Sequence, residues 1–336
     1  MHSQPILKVN HLRKYFHQKM GFLKGKKIVR AVDDISFEIF PEETLAIVGE
    51  SGCGKSTTGR TLLRLHEPTG GEIYYNGIDI LRMPKRKFRQ FRKDMQLIFQ
   101  DPYSSLNPRM TVKKLLMEPL LTHKICSKRE AESRAFDMAE KVGLSKEQIN
   151  KYPHEFSGGQ RQRISIARAL IMYPKVIILD EAVSALDVSI QAQILNLLID
   201  LQEEFKLTYL FISHDLNVVQ HISDRVGVMY LGKLVELAET NELYTNPLHP
   251  YTKSLLSAVP SLNPLEKRER IILRGETPDP SNPPSGCPFR TRCPMVHHKC
   301  NIEIPEYKEI KPNHWIACHL YDNGKYFQEN KEEISV

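Results

Sequence analysis

The sequence predicts an α/β fold built on a largely parallel sheet with helices on both faces. Three short apolar runs have the length and composition of buried strands: Thr44-Leu-Ala-Ile-Val48, Val176-Ile-Ile-Leu-Asp180 and Thr208-Tyr-Leu-Phe-Ile212. Segments rich in helix-forming residues alternate with these runs along the chain. Strands that alternate with helices are typical of parallel sheets that are buried on both faces.

A smaller antiparallel unit is expected near the N-terminus, where residues 6–48 favour short strands separated by turns. Ile35-Ser-Phe-Glu-Ile39 alternates apolar and polar residues, as a half-buried strand does. The segment 70–77 ends in Asn-Gly, a strong signal of a β-hairpin turn. We therefore predict an N-terminal antiparallel β subdomain beside the parallel core.

The order of helices and prolines predicts the domain organisation. Helices are expected at about residues 55–65, 129–142, 159–172 and 190–205, and an inserted helical subdomain at about 101–165. Eight prolines then fall between residues 247 and 284. We place a boundary near residues 240–265, with a first domain over 1–245 and a small loop-rich extension over 246–336.

The composition favours a folded protein that does not itself cross a membrane. No stretch approaches the roughly 20 consecutive apolar residues of a membrane span. The start of the sequence lacks the apolar core of a secretion signal, because Lys8, His11, Arg13 and Lys14 interrupt it. We expect a cytosolic location, with any membrane link provided by partner proteins.

A basic run at residues 82–93 carries much of the formal net charge of +7. Such a run can mark contact with nucleic acid or anionic lipid, or it can be a solvated helix face. We favour the solvated helix, because the run lies between two predicted strands.

The run Gly49-Glu-Ser-Gly-Cys-Gly-Lys-Ser56 matches the phosphate-binding P-loop pattern G-x-x-x-x-G-K-[ST]. It follows a predicted buried strand and opens a predicted helix, which is the context that the pattern requires. Glycines let backbone N–H groups surround phosphates, and the positive end of the helix adds to the attraction. Lys55 should reach the β- and γ-phosphates, and the Ser56 hydroxyl should bind Mg²⁺. The predicted nucleotide-binding residues of this segment are Gly49, Glu50, Ser51, Gly52, Cys53, Gly54, Lys55, Ser56 and Thr57.

Asp180 ends a predicted buried strand, and Glu181 follows it. A carboxylate at this place is the expected partner of Mg²⁺, usually through water, and Glu181 can orient and deprotonate an attacking water. An acidic pair after a strand often only caps a turn, but with a P-loop upstream it predicts ATPase chemistry. The fold class then becomes that of a P-loop NTPase with a RecA-like core.

After the P-loop, the chain carries Gln100, Phe156-Ser-Gly-Gly-Gln160, Ser184-Ala-Leu-Asp187 and His214. These motifs and their order resemble those of ABC ATPases over about residues 6–240. Phe156-Ser-Gly-Gly-Gln160 is similar to the LSGGQ signature, and Ser184-Ala-Leu-Asp187 to the D-loop. Gln100 resembles the Q-loop glutamine, and His214 the switch histidine. Phe16 matches the aromatic residue that stacks on adenine, with Tyr15 as a neighbouring candidate. The resemblance implies catalytic roles for Glu181, His214 and Gln100, Mg²⁺ binding by Ser56 and Gln100, and nucleotide contacts from Phe16, Ser157, Gly158, Gly159, Gln160, Asp180 and Asp187.

Within that family, the chain resembles the dipeptide/oligopeptide permease ATPases, and among these it is most similar to the F-type subunit. Residues 99–109, 152–156, 184–193 and 246–252 carry this resemblance, as does Asn282-Pro-Pro-Ser-Gly-Cys-Pro-Phe-Arg-Thr-Arg-Cys-Pro294. One departure is Ala182, where the family usually has proline after the catalytic glutamate. Since both carboxylates remain, we expect activity to survive.

The resemblance implies an ATP-hydrolysing subunit of an importer of dipeptides or oligopeptides, bound peripherally to the cytoplasmic face of the inner (plasma) membrane. The implied partners are a D-type ATPase in a head-to-tail heterodimer, two transmembrane permease subunits and an extracytoplasmic substrate-binding protein. No nucleic-acid partner is expected. Nickel, glutathione or another small solute remains an alternative cargo.

Non-transport ABC ATPases of DNA repair or translation are the other alternative. The sequence disfavours them, because it has no sustained heptads and only one P-loop.

Four cysteines near the end of the chain, Cys287, Cys293, Cys300 and Cys318, predict a metal centre. Disulfides are disfavoured in the cytosol, and four thiolates suit an iron–sulfur cluster or zinc equally in number. Resemblance to peptide-permease ATPases, some of which carry a cluster in this extension, favours a 4Fe-4S cluster with a structural role over zinc. Zinc ligands could also come from His297, His298, His314 or His319, and the remaining alternative is four unrelated thiols.

Overall fold

The computed structural model describes residues 4–20, 24–259 and 270–322. The strands are β1 (Leu7–Met20), β2 (Lys24–Ile39), β3 (Thr44–Val48), β4 (Gly70–Tyr75), β5 (Ile78–Asp79), β6 (Met95–Ile98), β7 (Val176–Asp180), β8 (Thr208–Ile212), β9 (Arg225–Tyr230), β10 (Lys233–Glu239), β11 (Lys308–Lys311) and β12 (His314–Ile316). They form a four-stranded sheet of order β2-β1-β4-β5 and an eight-stranded sheet of order β11-β12-β10-β9-β3-β8-β7-β6.

α-Helices lie between many of these strands along the chain. They are α1 (Lys55–Leu62), α2 (Lys85–Phe91), α3 (Pro102–Ser105), α4 (Val112–Thr122), α5 (Lys128–Lys141), α6 (Gly158–Leu170), α7 (Val188–Phe205), α8 (Leu216–Ile222), α9 (Thr240–Thr245), α10 (Pro250–Ser257) and α11 (His298–Ile302). Within the described residues, none of these is both long and apolar enough to span a bilayer.

The centre of the larger sheet is parallel, as the sequence predicts. β3 pairs in parallel with β8 and β9, and β7 pairs in parallel with β6 and β8. Alternate residues of β3 enter two different cores: Ala46 and Val48 pack on one face, and Leu45 and Ile47 on the other. The continuous apolar run is therefore explained by burial of both faces.

The N-terminal subdomain is antiparallel, which confirms the prediction. β1 pairs antiparallel with both β2 and β4, and β4 pairs antiparallel with β5. Asn76 and Gly77 form the two-residue turn between β4 and β5, with φ of 47° and 76°. Two central residues with positive φ are what the favoured twist of a two-residue hairpin requires.

The basic run of residues 82–93 contains α2, a helix that packs on the core through Phe88, which is 2% exposed. The guanidinium groups of Arg64 and Arg92 lie 5.1 and 5.8 Å from the centroid of this ring. The other basic side chains described on this helix are exposed.

The segment after residue 245 extends the larger sheet. β12 pairs antiparallel with β10, and β11 pairs antiparallel with β12. The fully buried carboxylate of Glu236 on β10 accepts hydrogen bonds from the backbone N–H groups of Leu248 and His249, and its Oε1 lies 2.8 Å from His314 Nε2. A buried carboxylate with several partners joins the extension to the sheet.

Candidate nucleotide-binding site

The P-loop follows β3 directly and begins α1, and two of its glycines are required by the space around them. A Cβ on Gly49 would lie 2.2 Å from the carbonyl oxygen of Met229, and one on Gly54 would lie 2.0 Å from that of Ala31. Both residues have positive φ, 150° and 112°. The close approach of backbone to backbone is the reason for glycine here.

The N-terminus of α1 is open to an anion. Its N-cap is Gly54, which contributes no side-chain hydrogen bond, and the first turn has no acidic residue. Lys55 is 4% exposed, and its Nζ donates to the carbonyl oxygens of Gly49 at 2.8 Å and Glu50 at 3.0 Å. Free N–H groups and a buried ammonium at one end of a helix suit a phosphate chain.

Among the residues expected to hold Mg²⁺, Asp180 fits that ion because one of its carboxylate oxygens is buried without a partner. Asp180, the last residue of β7, is 1% exposed, and its Oδ2 accepts from Arg60 of α1 at 3.3 Å. Its Oδ1 is buried without a hydrogen-bond partner. A carboxylate oxygen left unpaired in the interior has a strong need for a cation or a water bound to one. Ser56 and Thr57 are partly exposed in the first turn of α1.

The three predicted catalytic side chains lie together. The Nε2 of Gln100 donates to Glu181 Oε2 at 2.8 Å, and His214 Nδ1 lies 3.5 Å from Glu181 Oε1. The backbone N–H of Glu181 donates to Ile212 O at the end of β8, and its φ of 50° turns the chain sharply out of β7. An amide and an imidazole thus orient a carboxylate that directly follows Asp180.

Phe16 and Tyr15 occupy different surroundings on β1. Tyr15 donates its hydroxyl to Asp33, and burial together with this carboxylate raises the pKa of Tyr15 to about 12. Phe16 is partly exposed and meets His66 edge to face, with ring centroids 5.4 Å apart. Phe16 stays the predicted residue for stacking on adenine, with Tyr15 as the neighbouring candidate.

The signature segment forms the start of α6. Ser157 is its N-cap and accepts from the N–H of Gln160, whose side chain accepts in return from the N–H of Ser157. A Cβ on Gly159 would lie 2.5 Å from Ile190 Cγ2 on α7, while Gly158 is partly exposed. Among the described residues, no hydrogen bond or ion pair joins residues 157–160 to the P-loop.

Asp187 lies in an exposed turn between β7 and α7. It is the N-cap of α7, but its carboxylate forms no capping hydrogen bond. The next residue, Val188, is 82% exposed. A free carboxylate beside an exposed apolar side chain is unusual on a surface that faces only water.

Comparison with known proteins assigns the family. Residues 32–184 match the family model described as ABC transporter, and residues 235–300 match that of the oligopeptide/dipeptide transporter C-terminal region. The oligopeptide transport ATP-binding protein AppF of Bacillus subtilis is 55% identical over 95% of this chain and 98% of its own length. The chain belongs to the family of ABC transporter ATP-binding proteins.

Other relatives and solved ABC ATPases agree. The putative oligopeptide transport ATP-binding protein YkfD of Bacillus subtilis is 51% identical over 99% of this chain and 100% of its own length. CbiO1 of Clostridium perfringens has a TM-score of 0.63 at 27% identity and covers 73% of this chain and 92% of its own. The dimeric cassette MJ0796, in a post-hydrolysis state bound to ADP and phosphate, has a TM-score of 0.61 at 29% identity over 70% of this chain and 98% of its own. The prediction of an ABC ATPase fold is confirmed.

The four C-terminal cysteines of this ABC ATPase lie near one another. Cys287 and Cys300 are buried, and the N–H of Cys287 donates to Cys300 O at 2.9 Å. Burial first, with neighbouring thiols adding to it, raises the pKa of Cys287 to about 12 and that of Cys293 to about 11. Burial and the other three cysteines raise the pKa of Cys318.

The predicted metal centre is not confirmed by this arrangement. In residues 4–20, 24–259 and 270–322, no group of three or more His, Cys, Asp or Glu side chains is placed to hold a metal ion. Of the rival histidines, His319 uses both ring nitrogens, toward Asp322 and Glu303 O, and His314 Nε2 is paired with Glu236. His298 is exposed, and His297 has a buried Nε2 without a hydrogen-bond partner.

Sequence reasoning missed the contacts that surround Glu50 in the P-loop. Its carboxylate accepts two hydrogen bonds from Arg292 and one from the hydroxyl of Thr277, and its N–H donates to Tyr251 Oη. These partners lie more than 200 positions away in the C-terminal segment. No local pattern could have indicated them, although Arg292 stands between two of the cysteines that drew attention to the segment.

Proposed function

We propose that this chain is the ATP-binding and ATP-hydrolysing subunit of an ABC importer for oligopeptides. The observation that carries the proposal is the convergence of Gln100 and His214 on Glu181, next to Asp180 and an open P-loop. The cargo follows from the relatives named for oligopeptide transport and from the match of residues 235–300. Nickel or glutathione uptake is the alternative that a cargo test separates.

The roles of the residues follow from their chemistry. Lys55 and the N–H groups of the P-loop bind the phosphates, and Ser56, Asp180 and Gln100 would hold Mg²⁺, which neutralises phosphate charge. Glu181 accepts the proton of the attacking water, with Gln100 and His214 fixing the direction of its carboxylate. Phe16 stacks on the adenine ring.

Uptake by cells tests this function. A strain that lacks this chain should fail to accumulate a labelled oligopeptide, and the wild-type chain should restore uptake. Restored uptake with Glu181→Gln, or a defect confined to nickel or glutathione, would contradict the oligopeptide proposal.

The membrane subunits are proposed to dock in a groove beside Gln100. A cavity of about 310 Å³ is lined by Phe99, Glu118, His123 and Arg168, between α4, α6 and β6. Arg168 bridges its walls, because it donates to Glu118 Oε2 at 3.0 Å and to Ser105 O at 3.1 Å. A groove next to Gln100 gives a permease helix direct access to the residue that orients Glu181. The chain would then sit peripherally on the cytoplasmic face of the plasma membrane, with an extracytoplasmic protein delivering the peptide.

A second, D-type ATPase is the proposed partner in a head-to-tail dimer. Ser157–Gln160 and Asp187 would complete the ATP site of that partner. The exposed Ser157, the exposed Val188 and the carboxylate of Asp187 that caps nothing support a surface that is covered in the assembly.

A mixing experiment tests this arrangement. Ser157→Arg places a long cation on an exposed position without the clash that Gly159 would suffer against Ile190. In a heterodimer, we expect it to block turnover at the site that contains the partner's P-loop and to spare nucleotide binding at Lys55. Site-specific nucleotide trapping measures this, and a defect confined to the site with Lys55 would contradict the model.

The four cysteines are proposed to bind a 4Fe-4S cluster, with zinc as the alternative. Support comes from their shared neighbourhood: Cys287 and Cys300 belong to one buried cluster, Cys293 packs against it, and the N–H of Cys287 donates to Cys300 O. The present side-chain arrangement would have to adjust, since it forms no ready ligand group among the described residues. The role would be structural.

Metal analysis after anaerobic purification tests the cluster. We expect iron and acid-labile sulfide near four per chain, as in a 4Fe-4S centre, and their loss in Cys300→Ser. Cys126→Ser removes a partly buried cysteine elsewhere in the chain and should retain the metal. About one zinc per chain would mean that the cysteines form a zinc site instead of a cluster. Absence of both iron and zinc would exclude both kinds of site.

A further inference from the structure

A partly buried ion pair connects the C-terminal segment to the P-loop. Both terminal nitrogens of Arg292 donate to the carboxylate of Glu50, Nη1 to Oε2 at 2.8 Å and Nη2 to Oε1 at 3.0 Å. The side chain of Arg292 is 9% exposed and that of Glu50 28%. The hydroxyl of Thr277 donates to Glu50 Oε2 at 2.7 Å and also accepts from Arg292 at 3.1 Å. A two-pronged, mostly buried pair is the strong form of this interaction.

The backbone of Glu50 is held from the same side. Its N–H donates to the hydroxyl of Tyr251 at 3.0 Å, and its carbonyl oxygen accepts from Lys55. The ring of Phe289 packs against Tyr230 and Tyr251, with centroids 5.2 and 5.4 Å away. Phe289 and Arg292 belong to one short segment, in which the N–H of Arg292 donates to Phe289 O. That segment therefore holds the side chain of Glu50 directly, through Arg292, and supports its main chain through the packing of Phe289 on Tyr251.

The charge of Glu50 gives this contact a consequence for ATP. A carboxylate in a loop that receives a triphosphate repels it, unless a cation neutralises the carboxylate. Burial alone would raise the pKa of Glu50, but the hydrogen bonds from Arg292 and Thr277 outweigh it and hold the pKa below its usual value. Glu50 is thus ionised, and Arg292 is the cation that faces it.

We propose that Arg292 is a positioning residue for ATP: it neutralises Glu50 and holds the P-loop in its open form, so that the C-terminal segment sets the nucleotide affinity. The inference rests on the proposed function, since it concerns the same ATP site. Because coupling between sites is reciprocal, ATP must also stabilise the segment around residues 277–292.

Nucleotide binding by the purified full chain tests the proposal. We expect Arg292→Gln to raise the Kd for ATP about tenfold, within the range of roughly 5- to 150-fold that is common for coupled sites. In the assembled transporter, KM for ATP should rise while kcat changes little, because Gln100, Glu181 and His214 do not contact Arg292. Glu50→Gln combined with Arg292→Gln should recover most of the affinity, since the repelling charge is then gone.

A second ion pair supplies a matched control. Lys27 Nζ lies 2.7 Å from Asp279 Oδ2. This ion pair joins the same C-terminal segment to the nucleotide-binding domain, but neither of its residues belongs to the P-loop. Asp279→Asn should leave the Kd for ATP unchanged. An equal loss in Asp279→Asn and Arg292→Gln, with no recovery in the double variant, would mean general loosening of the segment and would overturn the proposal.

Hydrogen exchange provides the reciprocal readout. ATP should slow amide exchange over residues 277–300 in the wild-type chain and in Asp279→Asn, but not in Arg292→Gln. If the wild-type chain binds ATP, and Arg292→Gln has the same Kd for ATP and the same protection from amide exchange, the proposed role of Arg292 is refuted while the proposed function stands. Absence of ATP binding by the wild-type chain would instead refute the proposed function.

Discussion

Glu181→Gln is expected to reduce ATP turnover by at least about 100-fold, the low end of what a general base contributes. Glutamine keeps the size of the side chain and an oxygen for the hydrogen bond from Gln100, which spans 2.8 Å in the present structure. It cannot accept the proton of the attacking water. Phosphate release by the assembled transporter measures turnover, and equilibrium binding of labelled ATP should show retained affinity.

Glu203→Gln is a suitable control for this loss. Glu203 is an exposed carboxylate on α7, and its removal changes the net charge by the same amount. Turnover near wild type in Glu181→Gln would reject Glu181 as the base. Loss of ATP binding in Glu181→Gln would mean that the carboxylate of Glu181 is needed to bind the nucleotide, and not only to accept the proton of the attacking water.

Lys55→Ala is expected to weaken ATP binding itself. Hydrogen bonds to charged groups contribute about 1.5–3 kcal/mol each, so roughly a 10- to 100-fold rise in Kd follows from losing the ammonium. The carbonyl oxygens of Gly49 and Glu50 also lose the donor that holds them at 2.8 and 3.0 Å. Calorimetric titration with ATP measures the change.

Lys206→Ala, which removes an exposed ammonium paired with Glu42, should leave the Kd for ATP as in the wild type. Equal affinities for the wild type and Lys55→Ala would contradict the P-loop assignment.

Local sequence signals predicted the parallel core and the hairpin with good accuracy. β3, β7 and β8 coincide with the continuous apolar runs, because burial of both faces leaves little freedom in composition. The Asn76-Gly77 dipeptide predicted a hairpin turn, and both residues have the positive φ values that such a turn requires. β11 and β12 were not predicted, because these short segments become strands only through pairing: β12 pairs with β10, and β11 pairs with β12.

The candidate site divides in the same way. The P-loop, Glu181 and Ser157 lie in short contiguous motifs. The chemistry of each motif can be predicted from the types of residue in it. The pair of Glu50 and Arg292 spans 242 positions, so only the fold brings it together. Ser56 was predicted from the P-loop pattern, and Asp180 from its place at the end of a buried strand.

The measurement that tests the central claim most directly is ATP-driven peptide uptake by the complete transporter in proteoliposomes. Together with the proposed ATPase partner, permease subunits and binding protein, this chain should accumulate a labelled oligopeptide only when ATP is on its own side of the membrane. ATP hydrolysis should rise when the loaded binding protein is present, and Glu181→Gln should abolish both. Peptide accumulation without ATP, or ATP hydrolysis by the complex with no peptide transport, would contradict the account.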